Sequence, residues 1–253
     1  MNHTNIKLQP GVTVISAVKN RSHPLRYSIP SWLSDPLVRQ LILVDWDSDT
    51  PLWETLSRYD IPGWPDRRTM IIRVVDQPHW QMGKAINLGM KLARHSTTFK
   101  VDADVVLVDR LSKTVPTERR SFVAGHYLGI PLLNVNYLYG TIFLATRDFR
   151  YINGYDERFD QYGSEDTDLY DRLKTSGLSR LRFEQNQLYH LPHSNNARQV
   201  HQKIRHTTPE ASIAVSSKIV HSRVRWSRDF ETTQFQPVRS DVKNKCFTVT
   251  AVV

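Results

Sequence analysis

The chain has 253 residues, 40 % of them hydrophobic and 23 % charged, with six Trp and ten Tyr, a composition that excludes a disordered polymer and leaves room for one large core. Cys246 is the only cysteine, which excludes an intrachain disulfide or a Cys-based zinc site and fits a reducing compartment. A formal charge of +9 points to an anionic partner, either nucleic acid, acidic lipid headgroups or a phosphorylated substrate.

The opening "MNHTNIKLQPG" has no apolar run, and no stretch reaches the roughly 20 apolar residues of a membrane-spanning helix. From there, apolar β-branched runs alternate with helical patterns: "VTVISAV" 12–18, "QLILVD" 40–45, "TMIIRVV" 69–75 and "FKVDADVVLV" from 99. The order strand, helix, strand, helix implies a largely parallel sheet buried on both faces, with its ligand site at the carboxyl ends of the strands. Polar groups gather at those ends: "KNRSHP" after the first strand, "DWDSDTP" after the second and "DAD" in the fourth. Neither G-x-G-x-x-G nor G-x-x-x-x-G-K-[ST] follows a strand, which disfavours a dinucleotide fingerprint and a P-loop.

The segment 80–96 reads as a helix with Ile86, Gly89, Met90 and Ala93 on one face, Gly89 suiting close packing on the sheet. Residues 109–139 read as an irregular connection. The second half opens with a strand and turn over 139–149. A further helix is expected to start at Ser164 as N-cap, with Glu165, Asp166 and Asp168 in its first turn and Leu169 and Leu173 buried, and to stop at Gly177. A helical stretch around 208–223 and a last strand "CFTVTAVV" complete the chain.

Three groups carry candidate chemistry. Asp102 and Asp104, one residue apart at a strand end, are expected to point the same way, as period two dictates, and to offer hard oxygens to Mg²⁺ or Mn²⁺. Acids in a first helical turn are ordinary capping residues, but a carboxylate there also suits a general base. His190 and His193 in "LYHLPHSNN" are each a candidate to complete a mixed nitrogen and oxygen metal shell.

Taken in order, "AVKNR", "LVDWDSD", "GKAINLG", "VDADVVL", "INGYDERFDQYGSEDTDLYDRL" and "HLPHS" resemble GT-A glycosyltransferases that share the galactosyltransferase-like C-terminal segment, as in β-1,4-galactosyltransferases, polypeptide GalNAc-transferases and chondroitin-type polymerases. The resemblance spans roughly residues 12–200 and is most specific from Gly154 to Leu173. It implies a single α/β domain over 1–253 with a mixed, mostly parallel central sheet flanked by helices. Residues 12–108 would form the nucleotide-sugar half, 139–205 the acceptor and catalytic half, and 206–253 a C-terminal helix and strand.

By the same resemblance Asp102, Asp104 and His193 hold the metal, Mn²⁺ or Mg²⁺, with His190 the alternative to His193. Lys19, Arg21, Asp45, Lys84, Asp102 and Gly140 contact the nucleotide sugar, Asp45 through the uracil. Asp166 is the base and Glu165 positions the acceptor. The chain departs from the pattern at Met82, where an arginine is common, at Tyr162 in place of a tryptophan and at Ser164 in place of a glycine. The implied activity is metal-dependent transfer of a hexose or N-acetylhexosamine from a UDP-sugar to a hydroxyl of a glycan or lipid-linked acceptor. Inversion is expected, with retention the alternative. The expected setting is cytoplasmic, with peripheral contact to anionic membrane and no nucleic-acid partner. A nucleotidyltransferase would want a Gly-rich phosphate loop. A basic nucleic-acid-binding protein would want aromatics interleaved with its cations, which only "HSRVRWSRD" 221–229 partly offers.

Overall fold

The computed structural model describes residues 7–114, 120–126, 137–160, 163–184, 186–193, 209–222, 234–241 and 246–252. Tyr162, the basic run 197–206 and most of 221–229 lie outside the described residues.

Four apolar runs form the middle of the sheet: β1 (Gln9–Val18), β2 (Val38–Trp46), β3 (Thr69–Val75) and β4 (His95–Lys100). β1 pairs in parallel with both β2 and β4, and β2 with β3. Side chains alternate between the two faces. Val14, Leu41 and Leu43 face one core with α1 (Leu25–Leu33) and α2 (Leu52–Leu56), while Ile15, Ile42 and Val44 face the other with α3 (Met82–Lys91). This two-sided burial is why these strands read as near-continuous hydrophobic runs. Gly89 of α3 lets the helix lie on β1, since a Cβ there would come within 2.6 Å of Ile15 Cγ2.

The run from residue 99 is two strands rather than one. β4 ends at Lys100, the Val105 N–H bonds back to the Asp102 carbonyl at 3.0 Å to close a turn, and β5 (Val105–Leu107) leaves the main sheet. Helix α1 holds this turn in place. Ser28 Oγ donates to the Ala103 carbonyl at 2.7 Å, Trp32 Nε1 donates to the Val105 carbonyl at 3.0 Å, and Ser31 Oγ accepts the Leu107 N–H.

Beyond β4 the sheet continues through β7 (Ile142–Ala145), antiparallel to it, then β6 (Ser121–Ala124) and β8 (Ser179–Arg182). β6 lies inside the stretch expected to be irregular, and α4 (Thr146–Tyr151) stands where a turn was expected. Helix α5 (Glu165–Thr175) buries Leu169 and Leu173 fully and ends before Gly177, whose φ of +84° suits a glycine. Ser164 occupies the N-cap position, but its backbone is left-handed at φ +71° and its side chain makes no cap hydrogen bond, a correction to the expected cap. Strand β9 (Leu188–His190) pairs antiparallel with β5. Helix α6 (Pro209–Ser222) follows, then β10 (Gln234–Asp241) and β11 (Cys246–Val252), the latter joining β3 in parallel.

Among the described residues the main sheet runs β10-β11-β3-β2-β1-β4-β7-β6-β8. Connections from β1 go outward through β2 to β3, then return across β1 to β4. The direction of winding therefore reverses between β1 and β4, and a ligand crevice is expected outside the carboxyl ends of those two strands. Among the described residues no helix is long and apolar enough to cross a membrane.

Candidate active site

The turn after β4 and the strand β9 meet at this crevice. Val105 pairs with His190 across β5 and β9, and the Leu191 N–H donates to the Asp104 carbonyl at 2.7 Å, so the backbone itself sets Asp104 beside the two histidines. His193 Nε2 lies 3.2 Å and His190 Nε2 3.5 Å from Asp104 Oδ2. One ligand atom from each of the three lies within 4.8 Å of the others, and Asp104 and His190 are buried. Tyr137 stacks on His190 with ring centroids 4.9 Å apart. Burial would raise the Asp104 carboxyl, yet hydrogen bonds from His190 and His193 and the charge of Arg21 hold it far below the ordinary carboxylate range. Arg21 Nη2 reaches the same Oδ2 at 2.6 Å.

Two imidazoles and a carboxylate form a donor set that suits a divalent ion of the manganese type. Both histidines belong to it. Asp102 does not: its side chain is 46 % exposed and Oδ1 accepts the Lys100 ammonium at 3.1 Å. The expected common direction of Asp102 and Asp104 is corrected by the turn between them, which breaks the period of two.

Asp102 belongs instead to a second group. Lys100 Nζ is 2.7 Å from the Gly140 carbonyl and 3.7 Å from Asp166 Oδ1, and Tyr155 Oη donates to that Oδ1 at 2.7 Å. A Cβ on Gly140 would stand 2.9 Å from Asp166 Oδ2 and 3.4 Å from Asp102 Oδ2, so the two acids share the space over Gly140. Burial alone would drive the Lys100 ammonium toward neutrality, but Asp102 and Asp166 more than offset it and keep the group charged. Asp102 and Asp104, two residues apart, thus join the histidine cluster and Asp166 along one rim.

Glu165 is buried, its Oε2 has no hydrogen-bond partner, and burial first and the Asp166 carboxylate second push its carboxyl up to about 8. Asp168, the third acid of that turn, is bound at 2.8 Å to the buried Arg172. The "GYDE" stretch is held to α3 by Asn87, which accepts the Tyr155 N–H and donates to the Tyr155 carbonyl and Glu157, each at 2.9 Å.

The remaining candidates sit at the ends of β1, β2 and α3. Lys19 is 1 % exposed, and its ammonium donates to the carbonyls of Trp46, Asp47 and Gln77, tying three strand ends together. Asp45 is fully buried and accepts from the Ser48 and Leu52 N–H groups and from Arg73 Nη1 at 2.8 Å. Lys84 lies half-buried in the first turn of α3. Arg21 borders a cleft of about 270 Å³ with Asn20, Ser48, Asp49, Leu52 and Thr55, at the ends of β1 and β2. Sequence reasoning passed over Lys100 and Tyr155. A lysine at a strand end two residues before an aspartate was a usable signal for the first; nothing local announced the second.

Comparison with known proteins bears on the fold. Residues 119–194 match the family described as the N-terminal domain of galactosyltransferase. No curated protein matches the chain. Among solved structures, the chain is similar to the catalytic domain of Drosophila β1,4-galactosyltransferase 7 in complex with xylobiose, at 12 % identity and TM-score 0.56, covering 96 % of this chain and 93 % of that one. It is also similar to the mannosyltransferase PcManGT from Pyrobaculum calidifontis in complex with GDP-Man and Mn²⁺, at 13 % identity and TM-score 0.61, covering 91 % and 71 %. Staphylococcus aureus TarS in complex with UDP aligns at 12 % identity and TM-score 0.55, over 71 % and 59 %. The fold is that of GT-A glycosyltransferases. The segment that matches the galactosyltransferase family lies across β6 to β9 of this fold.

Proposed function

We propose that this protein transfers a hexose or N-acetylhexosamine from a UDP-sugar to a hydroxyl of a glycan or lipid-linked acceptor, with inversion and with a divalent cation of the manganese type. The observation that carries the reading is the Asp104, His190 and His193 cluster on the same rim as Asp166. The donor class is supported by the neighbours: a Drosophila β1,4-galactosyltransferase 7 variant in complex with manganese, UDP-Gal and xylobiose, and TarS with UDP. When bound by Asp104, His190 and His193, the ion would supply Lewis-acid stabilisation to a departing diphosphate.

The chain's own residues do the rest. The cleft at the ends of β1 and β2 receives the nucleoside, and Arg21 lies between that cleft and Asp104. Asp166 has Oδ1 occupied by Tyr155 and keeps Oδ2 toward the space over Gly140. There it accepts the proton of the acceptor hydroxyl as that oxygen attacks the anomeric carbon, the bond to the UDP oxygen breaks, and UDP leaves with the bonding electrons. Glu165, holding its proton at neutral pH, adds no second negative charge beside the base. The formal charge of +9 supports peripheral contact with an anionic membrane carrying the acceptor.

The test is UDP release from UDP-Gal, UDP-Glc, UDP-GalNAc, UDP-GlcNAc and UDP-GlcA with Mn²⁺ and a mixed acceptor pool, followed by NMR of the product anomer. Asp166→Asn is expected to retain Mn²⁺–UDP binding and to lose transfer by about 10²- to 10⁴-fold. Normal turnover by that variant would remove Asp166 as base, and absence of turnover with every donor would refute the function.

A further inference from the structure

Lys100 ends a central strand between β1 and β7 and is 3 % exposed, a position where an ammonium is tolerated only when paired. Its three partners come from three separate segments: Asp102 after β4, the Gly140 carbonyl before β7, and Asp166 in the first turn of α5. All converge on the place where Gly140 lacks a side chain; a Cβ there would lie 3.0 Å from Nζ and 2.9 Å from Asp166 Oδ2. Asp166 Oδ1 is engaged from two directions, by the Tyr155 hydroxyl at 2.7 Å and by the ammonium at 3.7 Å.

We propose that Lys100 is a positioning residue for sugar transfer. It locks the Asp166 carboxylate so that Oδ2 alone faces the acceptor hydroxyl, and it holds that carboxylate next to Asp102, joining the acceptor side of the site to the donor side. The ammonium has no lone pair and takes no proton in the reaction. The inference rests on reading Asp166 as the base. If Lys100 served folding alone, its loss would lower stability without acting through Asp166.

The experiment is a double-mutant cycle with Lys100→Met, Asp166→Asn and the pair combined, with Lys100→Arg as the conservative variant. Mn²⁺–UDP affinity is measured by calorimetry and transfer by kcat and acceptor KM. Lys100→Met is expected to keep Mn²⁺–UDP affinity within about threefold while losing kcat about 100-fold, the cost of a misplaced reacting group. In the Asp166→Asn background the lysine change is expected to cost nothing further, and Lys100→Arg to recover about tenfold of the loss. Additive losses, or UDP binding falling in step with turnover, would overturn the proposal. If Lys100→Met does not fold, Lys100→Arg is run through the same cycle, with the same expected non-additivity and the same overturning result. A crystal structure of a folded Lys100 variant gives a readout free of turnover: the Asp166 carboxylate is expected to leave its Tyr155-bonded position, and its retention there would sink the inference. An inactive wild type would instead sink the proposed function and the role in transfer with it, and a displaced Asp166 in the variant would then show only that Lys100 fixes that carboxylate.

Discussion

Glu165→Gln is the sharpest probe of the Glu165 and Asp166 pair. Glu165 stands in the first turn of α5, where the helix dipole favours a negative charge, yet burial and the neighbouring Asp166 push its carboxyl from 4.5 up to about 8. The unfolded chain releases this proton near 4.5 and the folded chain keeps it until near 8, so between those values the folded form binds more protons. Stability therefore falls as pH rises through that window and is level on either side of it. At about 1.4 kcal/mol per unit, a window of about 3.5 units sets a ceiling of about 5 kcal/mol. Glutamine has the same shape and does not titrate. The orphaned Oε2 position is kept in both proteins, so any penalty there is independent of pH. Urea unfolding at pH 5, 6, 7 and 8 is expected to show the variant gaining on the wild type at each step, by at least about 1 kcal/mol in total. Parallel curves, or a gap that narrows toward pH 8, would refute the assignment of a protonated Glu165.

Two further outcomes test the site and the packing beneath it. Replacing His190 or His193 by alanine is expected to weaken Mn²⁺ binding at least about tenfold each, read by electron paramagnetic resonance of free Mn²⁺; unchanged affinity in either would remove that residue from the donor set. Gly89→Ala would drive a Cβ to 2.6 Å from Ile15 Cγ2, an overpacking cost of about 1–3 kcal/mol set against about 1 kcal/mol of gained helix propensity. A clear rise in urea midpoint would show that α3 can lift from β1 freely.

The central strands were legible because burial on both faces leaves few polar positions: "TMIIRVV" has the observed limits of β3. Helix α5 was legible from its acidic start and its glycine stop, although Ser164 reaches the cap position in a left-handed conformation that no residue type announces. β6 and β8 were not legible. "SFVA" and "SRLR" are four residues each, too short to display a period, and "SRLR" alternates without a buried position because it lies at the sheet edge. At the site, residue types at strand ends carried the signal. Tyr155 was invisible because its hydroxyl meets Asp166 through the docking of α3, which Asn87 arranges from 68 residues away.

Asp102 and Asp104 do not share the direction expected of them, and Lys19 and Arg21 diverge for the same reason. Period two holds only while the backbone is extended. Lys19 and Arg21 are two apart, but Asn20 between them has φ +56°; Lys19 reaches three carbonyls at strand ends while Arg21 reaches Asp104. Asp102 and Asp104 are separated in the same way by the turn that Val105 closes onto Asp102, so one acid meets Lys100 and the other meets the histidines. Each chain reversal thus sends adjacent charges of one sign to different partners instead of stacking them on one face, where they would repel. A carboxylate pair that looks like a single ligand in the sequence becomes two stations, one beside His190 and His193 and one near Lys100 and Asp166, and the turn between them is what lets one short segment reach both.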